Sequence, residues 1–306
     1  MDGLILVDKP QGLTSHGVVA RIRKILDLPR VGHFGTLDPL ATGLLLIGVG
    51  TATRLFPVFS KEEKVYAGRI RLGLATDTYD ALGRFMTAEN IDLPGQKDLL
   101  QAMAKFVGKI EQVPPPYSAK KKDGKPLYQW ARSKKPVELK PHLVTIHYFK
   151  MTDYIPPHVS FEVKCSSGTY IRSLAHDLGQ SLGCGAHLAS LRRTEAGTFR
   201  VNSAFSLEQV EKLTARGNFQ EFLIPLESLF QQWPKAVLSS KGKGMVQKGK
   251  AIPSENILRI FETEPGETMF LEGEPIFRVF SLEGKFLALA LRQKEKQDLV
   301  AYLVLG

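Results

Sequence analysis

The chain has 306 residues, long enough for one large domain and a small one. Hydrophobic residues make up 43% and charged residues 24%, which excludes a disordered or fibrous protein. The formal net charge of +10 makes a polyanion the simplest partner, although charge alone does not separate nucleic-acid binders from other basic proteins.

Gly3 to Val7 reads as a short strand. Thr14 and Ser15 offer an N-cap to an amphipathic helix running through Leu26, with Pro29 beyond it. Leu44 to Val49 is an apolar run between glycines, predicted as a buried strand, and Val65 to Leu72 is predicted as another. Gln96 to Val107 has helical character between the Pro94–Gly95 break and Gly108. Val113 to Tyr117, with three prolines, is excluded from any helix interior, because proline fixes φ and removes a donor. Leu143 to Tyr154 and His158 to Cys165 predict a hairpin around Pro156–Pro157. Tyr170 to Leu182 has helical spacing and stops at Gly183. Strands and helices alternate without regular βαβ units, which predicts an α+β fold with a mixed, mainly antiparallel sheet. The composition shifts after Pro225. A glycine- and lysine-rich loop over Ser240 to Ala251 and short strands at Pro275–Phe280 and Phe286–Leu291 predict a small β-rich unit. The expected division is 1–230 and 233–306.

No apolar run reaches the roughly eighteen residues of a membrane-spanning helix. The opening MDGLILVDKPQG has no basic n-region and its apolar run breaks at Asp8, so it is not read as a signal peptide. Cys165 and Cys184 form no CxxC pair and suit a reducing compartment; a cytoplasmic location is the expectation.

The most informative segment is GHFGTLDPLATG, Gly32 to Gly43. Asp38 precedes Pro39, which pushes it out of the helical region into an extended or turn form. Glycines at 32, 35 and 43 permit tight turns and close approach of a ligand to the backbone. His33 lies on the same loop, and the apolar run from Leu44 anchors it. A carboxylate on a rigid loop beside a buried strand is a candidate catalytic group. An isolated Asp-Pro pair is more often a turn cap.

The full string changes that balance, because it resembles the signature of TruB-type tRNA pseudouridine synthases, which modify uridine 55 of the T-loop. VDKPQGLTSH, KVYAGRIRLGLATDTYDALG, VPPPYSAKKKDGKPLYQWAR, CSSGTYIRSLAHDLG and GAHLASLRRTEAGTF resemble further motifs of the family, in family order, over about the first two-thirds of the chain. Phe34 departs from the pattern, where a small polar residue is expected. The resemblance implies a pseudouridine synthase catalytic domain with an RNA-binding insertion over about 113–136, followed by a PUA-like domain. It implies Asp38 as the catalytic carboxylate, Arg172 as its ion-pair partner and Tyr66 as the aromatic that stacks on the target base. It further implies Tyr170 and Leu191 in the nucleotide pocket, Asp80 as a substrate contact, and His33 as the group that fills the place of the flipped base. An arginine beside the aspartate is expected to pull its pKa down and keep it ionised. Lys120, Lys121, Lys122, Lys125 and Arg132, interleaved with aromatics, suit RNA backbone contact and stacking, although charge runs are usually solvated loops. The isomerisation involves no net redox or hydrolysis, so no cofactor or metal is expected. The expected partner is tRNA, bound through its T-arm by a monomer that needs no protein partner. A guide-RNA-dependent synthase of the dyskerin kind, and an RNA-folding chaperone with incidental catalysis, are the alternatives.

Overall fold

The computed structural model describes residues 1–117, 121–122, 125–126, 139–262, 270–271, 274–293 and 298–305. A ten-stranded sheet carries the larger part of the chain. Its main path uses β1 (Gly3–Lys9), β3 (Thr42–Val49), β4 (Lys64–Leu72), β5 (Gly108–Gln112), β6 (His142–Ile155), β7 (His158–Cys165), β8 (Ala186–Ala196) and β9 (Leu223–Pro225). They run in the order β9-β1-β3-β8-β4-β7-β6-β5, with β2 (Val31–His33) and the short strand Phe199–Arg200 paired at the side. Every adjacent pair is antiparallel except β3 with β8, where Arg192 and Arg193 lie opposite Thr42 and Gly43. The mixed, mainly antiparallel α+β architecture agrees with the sequence reading.

The apolar runs of β1 and β3 feed two cores. Ile5, Val7, Leu45 and Ile47 pack on one face with Val18, Ile22, Leu99, Leu174, Leu178 and Val210. These come from the helices α1 (Ser15–Leu26), α2 (Gln96–Ala104), α3 (Ile171–Ser181) and α4 (Leu207–Ala215). Leu4, Leu6, Leu44 and Leu46 pack on the other face with Phe59, Trp233, Phe280 and Phe286. A strand buried on both faces reads as a continuous apolar run, which is why these segments do not alternate.

The second sheet is six-stranded, built on β10 (Lys235–Leu238), β11 (Ile257–Phe261), β12 (Glu274–Phe280), β13 (Phe286–Arg292) and β14 (Leu299–Val304) in the order β11-β10-β12-β13-β14. Three local readings are corrected. The glycine- and lysine-rich stretch is not a loop: Ser240–Gln247 forms helix α5. Ser239 caps it by accepting from the Gly242 N–H at 3.1 Å, and Val246 is fully buried. Its glycine at 242 serves close packing, since a Cβ there would lie 2.9 Å from the Asn256 carbonyl. Helix α2 ends at Ala104, three residues before the predicted stop at Val107, because Gly108 (φ +104°) already opens a strand. The long strand β8 was not predicted as an element at all, although it sits near the centre of the sheet.

Helix α1 forms where expected: Thr14 Oγ1 accepts from the Gly17 N–H at 2.9 Å, and the left-handed Asp27 (φ 50°) ends it. No helix among the described residues is long and apolar enough to cross a membrane.

Candidate active site

Asp38 lies between β2 and β3 on a loop tied down at both ends. The Leu37 N–H donates to Ser15 Oγ at 2.8 Å, the Ser15 hydroxyl returns to the Leu37 carbonyl at 3.2 Å, and the Gly12 N–H donates to the Pro39 carbonyl at 2.8 Å. Ala41 N–H closes a turn onto the Asp38 carbonyl at 3.0 Å. Phe34 anchors the loop's other flank. Its ring stacks on Phe59 at 5.1 Å in the second core, and it fits because Gly48 has no side chain: a Cβ there would lie 2.5 Å from the ring. The expected small polar residue would leave that space empty.

The loop forms one wall of a cavity of about 230 Å³ lined by Asp38, Lys64, Tyr66, Tyr170, Arg172, Leu191 and Arg193, among others. Arg172 enters from the first turn of α3. Its Nε lies 2.8 Å from Asp38 Oδ2, and Nη2 donates to Asp38 Oδ1 at 3.2 Å. The remaining face of the guanidinium is held as well. Nη1 donates to the Thr78 carbonyl at 3.1 Å and lies 3.5 Å from Asp80 Oδ2, while Nη2 also meets the Tyr117 carbonyl at 3.0 Å. The Arg172 side chain is only 6% exposed, whereas that of Asp38 keeps 39%, so the arginine is the fixed member of the pair.

Burial raises the Asp38 pKa above the ordinary carboxylate value; Arg172 and Lys9 oppose that rise and Asp80 adds to it. Arg172 pulls the pKa down, as the sequence reading expects, and burial pulls it the other way. Lys9 itself is fully buried, donates to the carbonyls of Pro10 and Leu13, and burial pushes its pKa down to about 8.

The other anticipated residues divide. Tyr66, Tyr170 and Leu191 line the same cavity as Asp38. Burial pushes the Tyr66 phenol up. The backbone of Tyr170 is clamped by a buried glutamine: Gln112 Oε1 accepts from the Tyr170 N–H at 2.7 Å, and Gln112 Nε2 donates to the Tyr170 carbonyl at 3.0 Å. Asp80 stands on the far side of Arg172, outside the cavity lining. Its Oδ1 accepts from Thr78 Oγ1 at 2.6 Å and from the Leu82 N–H at 3.0 Å, so it braces the arginine. His33 ends β2, its ring edge-on to His16 at 5.1 Å, with Nδ1 buried and unpartnered. Burial first, then His16 and Arg193, press its pKa down to about 4. Lys120 and Arg132 lie outside the described residues, and Lys121, Lys122 and Lys125 are described only in their backbone.

Two charged residues of the cavity were not singled out from the sequence. Arg193, 1% exposed, and Lys64, 5% exposed, stand on neighbouring strands of the sheet. Lys64 lies just before the predicted strand from Val65, and Arg193 lies where no strand was predicted, so neither carried a patterning signal.

Residues 23–171 match the family model "TruB family pseudouridylate synthase (N terminal domain)", and 172–231 match "tRNA pseudouridylate synthase B C-terminal domain". The chain is 41% identical over 278 residues to the tRNA pseudouridine synthase B of Syntrophotalea carbinolica, covering 89% of each chain. It is 43% identical over 242 residues to that of Pseudomonas aeruginosa, covering 78% of this chain and 79% of the relative. A solved chain from a Cbf5-Nop10-Gar1 complex superposes with a TM-score of 0.73 at 27% identity, over 99% of this chain and 85% of that one.

Proposed function

The chain belongs to the TruB family of pseudouridylate synthases, and from that premise we propose that it isomerises uridine 55 in the T-loop of tRNA to pseudouridine. It is an isomerase of the tRNA pseudouridine synthase B type. The observation that carries the finer reading is the Asp38–Arg172 pair at the cavity wall, with a rigid arginine and a partly open carboxylate. Only the ionised aspartate can attack C1′ of the ribose or remove a proton from the sugar. A guanidinium held on four sides keeps that charged form available and aimed.

A uridine stacked inside a folded T-loop has to be flipped out, at a cost of a few kcal/mol. Tyr66, which lines the cavity, stacks on the flipped base, a contact worth about 1–3 kcal/mol. Tyr170 and Leu191 close the nucleotide pocket, and His33, kept neutral by burial, fills the place the base leaves. Asp80 acts on the substrate through Arg172. The basic insertion grips the RNA backbone, and residues 233–306 serve as a PUA-like RNA-binding unit beside a catalytic domain spanning 1–230.

Incubation with unmodified tRNA transcripts, followed by carbodiimide modification and primer extension, tests the reading. A stop at the T-loop uridine with protein and transcript alone is expected. No stop, a stop elsewhere, or a stop only when a guide RNA is added would overturn it.

A further inference from the structure

Arg193 and Lys64 form a second charged wall of the cavity that the Asp38 chemistry does not use. Arg193 Nε donates to the Leu44 carbonyl at 2.6 Å and Nη2 donates to the Gly35 carbonyl at 3.2 Å. The Lys64 ammonium donates to the Ser60 carbonyl at 2.9 Å and to that of Glu62. Among the described residues, neither cation forms an ion pair, while both Asp38 and Asp80 are taken up by Arg172. The ionisable groups that Lys64 feels besides Arg193 are Glu62, out of ion-pair reach, and Cys165, a thiol that burial pushes up to about 11 and so keeps neutral. Two buried positive charges thus border the cavity, while Asp38, the one carboxylate among its lining residues, is taken up by Arg172. Such charges are costly to keep out of water unless something answers them.

We propose that Arg193 and Lys64 stabilise the negative charge of the uracil while it is detached from the ribose. The inference rests on the reading of the protein as a uridine isomerase. When the C1′–N1 bond breaks, its electron pair stays on N1, and the base becomes a monoanion delocalised over N1, O2, O4 and C5. Whether Asp38 then bonds C1′ or takes the C2′ proton, the charge on the base is the same. After rotation, C5 supplies the pair for the new C5–C1′ bond, C5 loses its hydrogen as a proton and N1 gains one. Asp38 leaves C1′, or returns the proton to C2′. No oxidant or reductant is involved. The two cations thereby present donors where the charge develops, in a site where water screens little.

The test compares single-turnover rates on tRNA carrying either uridine or 5-fluorouridine at the target position, with products read by nuclease digestion and mass spectrometry; on the latter C5 carries fluorine and has no proton to lose, so the C5–C1′ bond leaves an N1=C6 double bond to which water adds, and the product read is a hydrated C-glycoside that keeps its fluorine. Fluorine withdraws electrons, so its base anion needs less help. Lys64→Met removes the charge and is expected to slow uridine about 100-fold and 5-fluorouridine about tenfold or less, the scale of losing one donor to a developing charge. If melting curves show that variant unfolded, Lys64→Gln, which still donates to the Ser60 carbonyl, takes its place with the same expectation. An equal loss on both substrates would make Lys64 a purely structural residue, and no loss on either would remove it from the chemistry; both overturn the proposal. Wild-type turnover of the uridine substrate tests the isomerase reading itself, and its absence would fell both.

Discussion

Two buried arginines line one cavity and answer to different partners. Arg172, on α3, directs its fork at Asp38 and Asp80. Arg193, on β8, directs its donors at the carbonyls of Leu44 and Gly35. One wall is charge-compensated and holds its carboxylate in an ion pair. The other carries uncompensated positive charge. The difference teaches that burial of a cation does not by itself say what the cation is for: a carboxylate partner marks it as part of a pair, and carbonyl partners leave its charge directed at whatever enters.

The largest expected effect removes the carboxylate that distinguishes the first wall. Asp38→Asn keeps the shape and abolishes the charge. Essentially all turnover should be lost, while tRNA affinity changes by less than about tenfold, or roughly 1.4 kcal/mol. Rapid-quench turnover beside filter binding checks both halves; substantial turnover would take Asp38 out of the chemistry.

Next comes the pairing itself. The Asp38 pKa already lies above its ordinary value because burial outweighs Arg172. Arg172→Met removes the opposing charge, so that pKa rises further and the ionised fraction at a given acid pH falls. The acid limb of the single-turnover rate should move to higher pH by at least about one pH unit, with part of the activity returning at alkaline pH. Arg172→Lys keeps the charge without the fork and should fall between. A pH profile of the three proteins decides it; an unmoved limb in the methionine variant would dissolve the pair.

The contrast between the two arginines also marks how far the sequence could be read. Arg172 was legible because GTYIRS sits in a recognisable motif and because a catalytic carboxylate calls for a cation. Arg193 lies in an equally recognisable motif, but nothing in its neighbourhood calls for a charge. Its partners are backbone carbonyls on β3 and on the loop before it, brought near by a parallel pairing between residues some 150 positions apart. Pairing of that range leaves no local pattern. Helix α1 and the hairpin of β6 and β7 were legible for the opposite reason, since caps and turns are written in adjacent residues. Asp80 shows the same limit at the site: TDTYD points to a loop carboxylate, but not to the side of Arg172 on which it stands. Helix α5 was misread because the helix-breaking composition of SKGKGMVQ is overridden by its cap and by packing at Gly242 and Val246.

A third kind of cation sharpens the comparison. The lysines at 120, 121 and 122 belong to the basic insertion, and their proposed work is on phosphates in water. Their contribution should therefore be screened by salt, whereas that of Arg172 and Arg193 should not. Replacing all three by alanine should reduce the slope of log affinity against log salt by about 0.7–0.9 for each phosphate no longer neutralised, and leave the saturating single-turnover rate nearly unchanged. An unchanged slope would mean a solvated loop.

The smallest effect concerns a residue that is kept from becoming a cation. His33 shares the field of Arg193, touches the His16 ring and has an unpartnered, buried Nδ1. Its pKa falls to about 4, chiefly through burial, against an ordinary value of 6.5. Between those two values the unfolded chain binds a proton at this site that the folded chain refuses. Protonation therefore favours unfolding, and the stability at neutral pH is lost progressively as pH falls below 6.5 and levels off below about 4. The full displacement would be worth about 2 kcal/mol at pH 5. The residue is only partly buried, so solvent screening brings the expected figure nearer to 1 kcal/mol. His33→Gln keeps a polar side chain and removes the titration. Urea unfolding at pH 7 and pH 5 should show the acid-induced loss of stability shrinking by about that amount in the variant. An equal loss in both proteins would mean that His33 charges freely in the folded state, and that the neutral imidazole proposed to occupy the place of the flipped base is not what this cleft holds.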